Sequence, residues 1–226
     1  MIKKTIWMIV LVICSGVIIA CAGYFIKLYL ESRKIENLRE DFSISSNNTS
    51  EEKKAVEIPV DFDELKKANP DIYAWITIPE ANVDYPVLQS ETDNSYYLTH
   101  TVNGKKSVYG SIYTENYNAK DFSDFNTVIY GHDMKDGTMF KHLHKFEDPE
   151  FFQSHETVTI YTETEIKTYR IFAAIVYDNR HILYSFDNND IEDRKAFIQS
   201  LYDARSLKNQ FREGMTIDEN SRLITM

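Results

Sequence analysis

Cysteine is nearly absent from this chain. Two occur in 226 residues, Cys14 and Cys21, and none follows. Both fall in an apolar N-terminal stretch, so the rest of the chain has no thiol for a disulfide-stapled scaffold. Neither is placed as a nucleophile, because a thiolate needs an accessible, electropositive site; both read as small packing residues. Glycine (7) and proline (5) are scarce too, which excludes collagen-like and low-complexity chains. No phosphate-cradling glycine loop occurs, and no Gly-x-Ser-x-Gly, His-Glu-x-x-His or Cys-x-x-Cys motif. Basic charge is in deficit, with 25 Lys and Arg against 35 Asp and Glu. Once Lys3 and Lys4 are set aside, 23 basic residues face 35 acidic ones beyond the apolar stretch. Nucleic acid is therefore excluded as a partner, since phosphate binding needs clustered Lys and Arg.

What the chain does hold is aromatic weight, 15 Tyr and 13 Phe, as expected of a packed globular core. It also holds one long apolar run. Residues 1–4 read as a cytoplasmic tail and residues 5–26 as a transmembrane signal anchor, because about 20 apolar residues cross a bilayer. Lys3 and Lys4 favour a cytoplasmic N-terminus and an extracellular domain. A cleaved signal peptide is the alternative, since Ile18-Ile-Ala-Cys21 resembles a lipoprotein processing box, but the apolar run continues through Tyr24-Phe25-Ile26. Residues 27–57 read as a charged helical stalk and a polar linker, Ser43 to Lys54 being low in complexity. The folded domain is expected over 58–226.

Within that domain, Asp61–Ala68 carries acids at its start and lysines at its end, predicting a short helix that Asn69-Pro70 stops. Strands are expected at Tyr73–Ile78, Val83–Leu88, Ser111–Thr114, Thr127–Tyr130 and Thr157–Tyr161, with Pro86 marking an edge strand. Thr168–Val176 predicts a longer, deeply buried strand. Helical inserts are expected at Met139–Lys145, Pro149–Ser154 and Asp190–Ala204, and Arg222–Met226 begins a further strand. Many short strands with local helices predict a mainly β domain, a closed barrel with helical inserts.

His132 follows the apolar run Thr127–Tyr130 and Gly131, at the end of a strand, where titratable groups do chemistry more often than in strand interiors. His142 and His144 make a poor metal pair, because four ligands are the norm, and they read as surface-helix residues. His100, His155 and His181 read as turn or surface residues. Asp187, Asp190, Glu192 and Asp193 lack the turn glycine of a calcium loop and read as helix-capping acids. Nothing in the sequence calls for a metal or organic cofactor.

Five segments together, Tyr73–Pro79, Val83–Gln89, Asp93–Leu98, Gly110–Tyr113 and Asn126–Phe140, resemble class B sortases, in order and with family-like spacing. The resemblance runs from about Asn69 to Met226 and includes the N-terminal anchor. Tyr130-Gly-His-x-Met with the following Gly-x-Met-Phe140 is its most specific signal, and Asp190–Ala204 is similar to the long helix that class B members insert between their sixth and seventh strands. The resemblance implies an eight-stranded barrel and a transpeptidase. A cysteine attacks the threonine carbonyl of a C-terminal sorting signal, and the thioacyl group passes to an amine of the peptidoglycan precursor. His132 matches the family's acid–base histidine, and Leu98, Tyr184 and Ser185 lie near where the family binds its peptide. The family's cysteine follows its seventh strand and its oxyanion arginine lies on the eighth; Leu223-Ile-Thr-Met226 resembles the approach to that cysteine, and Arg222 is not the arginine because it precedes it. The expectation is thus a membrane-anchored sortase-like domain, incomplete at its C-terminus, lacking its last strand and its nucleophile, and inactive in this form. The alternative is a non-catalytic surface protein that binds sorting signals or wall precursors.

Overall fold

A computed structural model describes residues 17–30, 33 and 58–226. The tail over 1–4, the first part of the anchor and most of the stalk and linker lie outside the described residues. The chain divides into two compact units, residues 1–43 and 44–226. In the first, residues 17–30 form helix α1, and Arg33 Nε donates to Tyr29 Oη at 3.1 Å. Among the described residues no helix is long and apolar enough to cross a membrane.

The second unit begins with α2 (Phe62–Ala68), capped where Asp61 accepts from the Glu64 N–H at 2.9 Å. Acids at its start and Lys66 and Lys67 at its end suit the helix dipole, and Phe62 and Leu65 bury its apolar side. Strands β1 (Ile72–Ile78), β2 (Val83–Leu88), β3 (Ile112–Thr114), β4 (Asn126–Tyr130), β5 (Thr157–Thr162), β6 (Ile166–Arg170) and a late β9 (Leu223–Thr225) form one sheet, ordered β6-β5-β1-β2-β3-β4-β9. A small pair, β7 (Ala173–Ala174) and β8 (Gln210–Phe211), stands apart from that sheet. Helices α3 (Pro149–Ser154), α4 (Ile182–Ser185) and α5 (Ile191–Asp203) fill the connections. The core is the β1, β2 and β4 stack, where Ile72, Trp75, Ile76, Val87, Leu88 and Ile129 are almost wholly shielded.

The domain is mainly β, with the sheet curled into a nearly closed barrel. Arg222, just before β9, acts electrostatically on the Tyr169 phenol of β6, so the two sheet edges approach one another. Among the described residues no pairing joins β6 to β9, so the barrel is nearly rather than fully closed.

Two other expectations change. Pro86 lies within the sheet rather than on its edge: it pairs with Trp75 of β1. It is tolerated because β3 is short and meets β2 only at Val87 and Leu88, so the missing N–H removes no bond on that side. The long buried strand over 168–176 is two short ones, β6 and β7, broken after Arg170. None of their residues is buried, because β6 pairs only with β5 and is the last strand of the sheet. The break is held by Arg212, whose guanidinium is buried and donates to the carbonyls of Ile171, Phe152, Gln153 and His155 at 2.6–3.3 Å.

Candidate active site

Strand β4 ends at Tyr130, and the next two residues set the site. A Cβ on Gly131 would lie 2.5 Å from the Ile112 methyl and 2.7 Å from the Phe140 ring. Residue 131 therefore faces the core, and by strand alternation Tyr130 and His132 share the opposite face. His132 is half-buried, and its Nε2 lies 2.7 Å from the Leu98 carbonyl. A carbonyl only accepts, so Nε2 carries the proton and Nδ1 is left to exchange one. The Leu98 carbonyl is in turn placed by Gly110, whose φ of 58° lets the backbone pass close to Tyr97 and Leu98; a Cβ there would stand 2.5 Å and 2.6 Å from their oxygens.

The loop after His132 is pinned along its length. The Phe140 N–H donates to the His132 carbonyl at 3.0 Å, and Asp133 bridges Met139. Asp136 accepts from Thr138 N and Oγ1 and from the Tyr109 hydroxyl at 2.7–3.1 Å. Gly137, at φ 90°, turns the chain, with its N–H on the Met134 carbonyl. The Asp133 carboxylate is turned to Lys141 and His144, each at 3.1 Å. The Lys141 bond first, and that of His144 with it, holds this carboxyl below the usual range.

Beside this face lies a cluster of rings around one buried carboxylate. Glu115, directly after β3, is 9% exposed. It accepts from the Tyr130 hydroxyl at 3.3 Å and from His181 Nε2 at 2.9–3.0 Å. Tyr113 stacks on Tyr130 with centroids 5.3 Å apart. Burial, and then the Glu115 charge, push the Tyr130 phenol well up and that of Tyr113 up to about 12; both stay neutral. His181 stacks on Tyr184 at 3.9 Å, and the Tyr184 and Tyr117 hydroxyls meet at 2.9 Å.

A family model for the sortase domain matches residues 76–203. The chain belongs to the sortase family. Sortase B of Listeria monocytogenes is 38% identical over 146 residues, which are 62% of this chain and 58% of that protein's length. Sortase B of Staphylococcus aureus is 26% identical over 218 residues, 93% of this chain and 84% of that one. Among solved structures, a Streptococcus pyogenes class B sortase involved in pilus biogenesis superposes with a TM-score of 0.60 at 32% identity, covering 74% of this chain and 86% of its own. Bacillus anthracis sortase B in complex with AAEK1 gives 0.67 at 25% identity, covering 88% and 90%. These relatives are all sortase B or class B sortases.

Of the side chains expected at this sortase's site, the structure joins His132 directly to Leu98, through the latter's backbone. Tyr184 reaches the same face indirectly, through His181, Glu115 and Tyr130. Ser185 is exposed and enters by its backbone, its N–H donating to the His181 carbonyl at 3.0 Å. A cleft of about 410 Å³ lined by Asn69, Asp71, Tyr96 and Tyr97 includes none of these four. His181 is not a mere turn residue, since it caps α4 and holds Glu115. Sequence reading misses Glu115 altogether, although it follows its strand as His132 follows β4, so the same rule points to it. His144 holds Asp133 and Glu147, whereas His142 lies under Gly137 with its Nδ1 unpaired. Among the described residues no group of three or more His, Cys, Asp or Glu is placed to hold a metal ion.

Proposed function

We propose that this domain is the acid–base and binding part of a class B sortase transpeptidase, with His132 as its general acid and base. The observation that carries the reading is the pairing of β4 with β9. The two run parallel, Asn126 beside Leu223 and Val128 beside Thr225, so the last residues head toward the end of β4 that bears His132. A thiol supplied a few residues beyond Thr225 would arrive beside the imidazole. In the reaction the thiolate attacks the threonine carbonyl of a sorting signal and the C–N bond breaks. His132 gives the leaving amine its proton, and the acyl group rests on sulfur. An acceptor amine of the peptidoglycan precursor then attacks, His132 takes its proton, and the thiolate leaves. Because Nε2–H is engaged by Leu98, both transfers pass through Nδ1.

Neither cysteine of the sequence lies in residues 58–226, so residues 1–226 by themselves bind substrate but form no acyl adduct. The N-terminal apolar stretch, residues 5–26, anchors the protein, with residues 27–57 as tether and the 58–226 domain outside the cell. Leu98, Tyr184 and Ser185 border the peptide groove.

The test is a semisynthetic extension of the full chain past Met226 that carries one cysteine. In the observed register a residue at position 229 is level with His132, as Thr225 is with Val128, and so shares its face. The extended protein is incubated with a randomised peptide pool holding a fixed central threonine, and acyl adducts are read by mass spectrometry. We expect an adduct on the new thiol, formed at least ~100-fold more slowly when His132→Gln is introduced, the usual scale of acid–base catalysis. An adduct indifferent to His132 sinks the assignment. Peptide binding with no adduct favours instead a surface protein that binds sorting signals without chemistry.

A further inference from the structure

Helix α4 poses a packing problem. It is four residues long, with Ile182 and Leu183 only half-buried and Tyr184 and Ser185 exposed, so hydrophobic contact holds it weakly. Tyr184 is 68% exposed and Tyr117, against which it lies edge to face with centroids 5.3 Å apart, is 51% exposed. An exposed tyrosine on a short, unburied turn should wander, yet the turn is tied at one point. His181 caps it: Nδ1 accepts from the Tyr184 N–H at 3.3 Å, and the His181 carbonyl accepts from the Tyr184 and Ser185 N–H groups at 3.2 Å and 3.0 Å. For Nδ1 to accept, it must hold a lone pair, so the ring proton sits on Nε2. Glu115 Oε1 accepts that proton at 3.0 Å, and Oε2 lies 2.9 Å from the same nitrogen. The main chain that carries the carboxylate is held, because Gln89 Nε2 donates to the Glu115 backbone carbonyl at 2.9 Å from a buried position.

We propose that Glu115 and His181 are a positioning pair: the buried carboxylate selects the Nε2–H tautomer of His181, which caps α4 and so presents Tyr184, braced by Tyr117, as a wall of the peptide groove. The pair rests on the peptide-groove reading above for its purpose, but not for its geometry. It acts through Tyr184 and touches no reacting atom. A buried carboxylate is costly unless its bonds are made, and here Oε1 is met by His181 and Oε2 by the Tyr130 hydroxyl. The pair also connects the wall to the reacting histidine, because Tyr130, which donates to Glu115, shares a face with His132.

The test uses the full chain in detergent micelles with Glu115→Ala, Glu115→Gln and Tyr117→Phe. Long-range 15N spectra report the His181 tautomer, hydrogen exchange reports the Tyr184 amide, and fluorescence anisotropy reports binding of the threonine-centred peptide pool. Expected are an Nε2–H ring in the unaltered chain and, in Glu115→Ala, a mixed tautomer, Tyr184 exchange at least tenfold faster and peptide binding at least fivefold weaker. Glu115→Gln restores all three, because its carbonyl still accepts the Nε2 proton; a purely structural loss would not be rescued in this pattern. Tyr117→Phe weakens binding while the tautomer stays. An unchanged His181 tautomer and Tyr184 exchange in Glu115→Ala overturn the pair, whatever the peptide does. Unaltered chain that binds no peptide, with the tautomer and exchange responding as expected, refutes the groove reading and the pair's role in it while the anchoring of α4 stands.

Discussion

At residue scale, two histidines twelve positions apart show how partners decide a ring's job. His132 has one hydrogen-bond acceptor, the Leu98 carbonyl, and keeps Nδ1 for exchange. His144 has two carboxylates, with Nδ1 2.7 Å from Glu147 and Nε2 3.1 Å from Asp133. Neither carboxylate has a proton to give, so together they favour the doubly protonated, charged ring. Its pKa is raised, first by Glu147 and then by Asp133. A raised folded-state pKa adds stability that is fully present below the unfolded value, about 6.5, and is lost as pH rises through the folded one. A 1H–13C titration of the His144 Cε1–H should give a midpoint above 6.5, and Asp133→Asn should lower it. Because the ring is half exposed the stability at stake is small; the consequence is positional. Lys141 and His144 hold the Asp133 carboxylate, and the bonded loop leaves His132 facing Leu98. The sequence shows the strand end and the histidine. It does not show which of two neighbouring histidines is engaged by acids, because Glu147 and Asp133 come together only through the turn at Gly137.

At the scale of elements, the helices were legible where capping chemistry is local. Asp61, Asp148 and Asp190 each accept from backbone N–H groups at the starts of α2, α3 and α5, as their acidic first turns predict. Strands β1, β2 and β5 were legible from alternation and burial. The misreadings concern elements whose state depends on neighbours: β6 reads as buried but has a partner on one side only, and Pro86 reads as an edge but meets a β3 too short to need its N–H. The turn containing Leu98 is another such case, since its placement depends on Gly110, twelve residues on. Gly110→Ala puts a Cβ into the Tyr97 and Leu98 carbonyls and asks a non-glycine residue to hold φ near 58°. The expected cost is about 1–3 kcal/mol. The more telling result is spectroscopic: with the Leu98 oxygen displaced, His132 should lose its Nε2–H preference in 15N spectra. A destabilised protein that keeps the His132 tautomer would show that Leu98 does not set it.

Over the whole molecule, the strand that bears the site is completed by the far end of the chain. β4 pairs with β3 on one side, Tyr130 beside Tyr113, and with β9 on the other, across nearly a hundred residues. No local pattern in the sequence announces that pairing, although both strands are readable one by one. Its contacts are specific: the Leu223 N–H donates to the Phe125 carbonyl at 2.8 Å, Thr225 Oγ1 to Asn126 Oδ1 at 2.9 Å, and Arg222 to the Ser123 carbonyl. Asn126 and Thr127 are almost wholly buried beneath it, each with a side-chain atom already lacking a partner. Deleting residues 222–226 therefore opens an edge on β4 and wets a polar seam. Three ladder pairs at about 1 kcal/mol each give a loss near 3 kcal/mol, a fall of roughly 6–12 °C in Tm for a domain of this size. Local rather than global opening is the sharper expectation: amides of Asn126–Val128 should exchange fastest, while those of β1 and β5, flanked on both sides, stay protected. Uniform acceleration across the sheet would mean instead that β9 holds the barrel as a whole, and that the strand carrying His132 has no independent support.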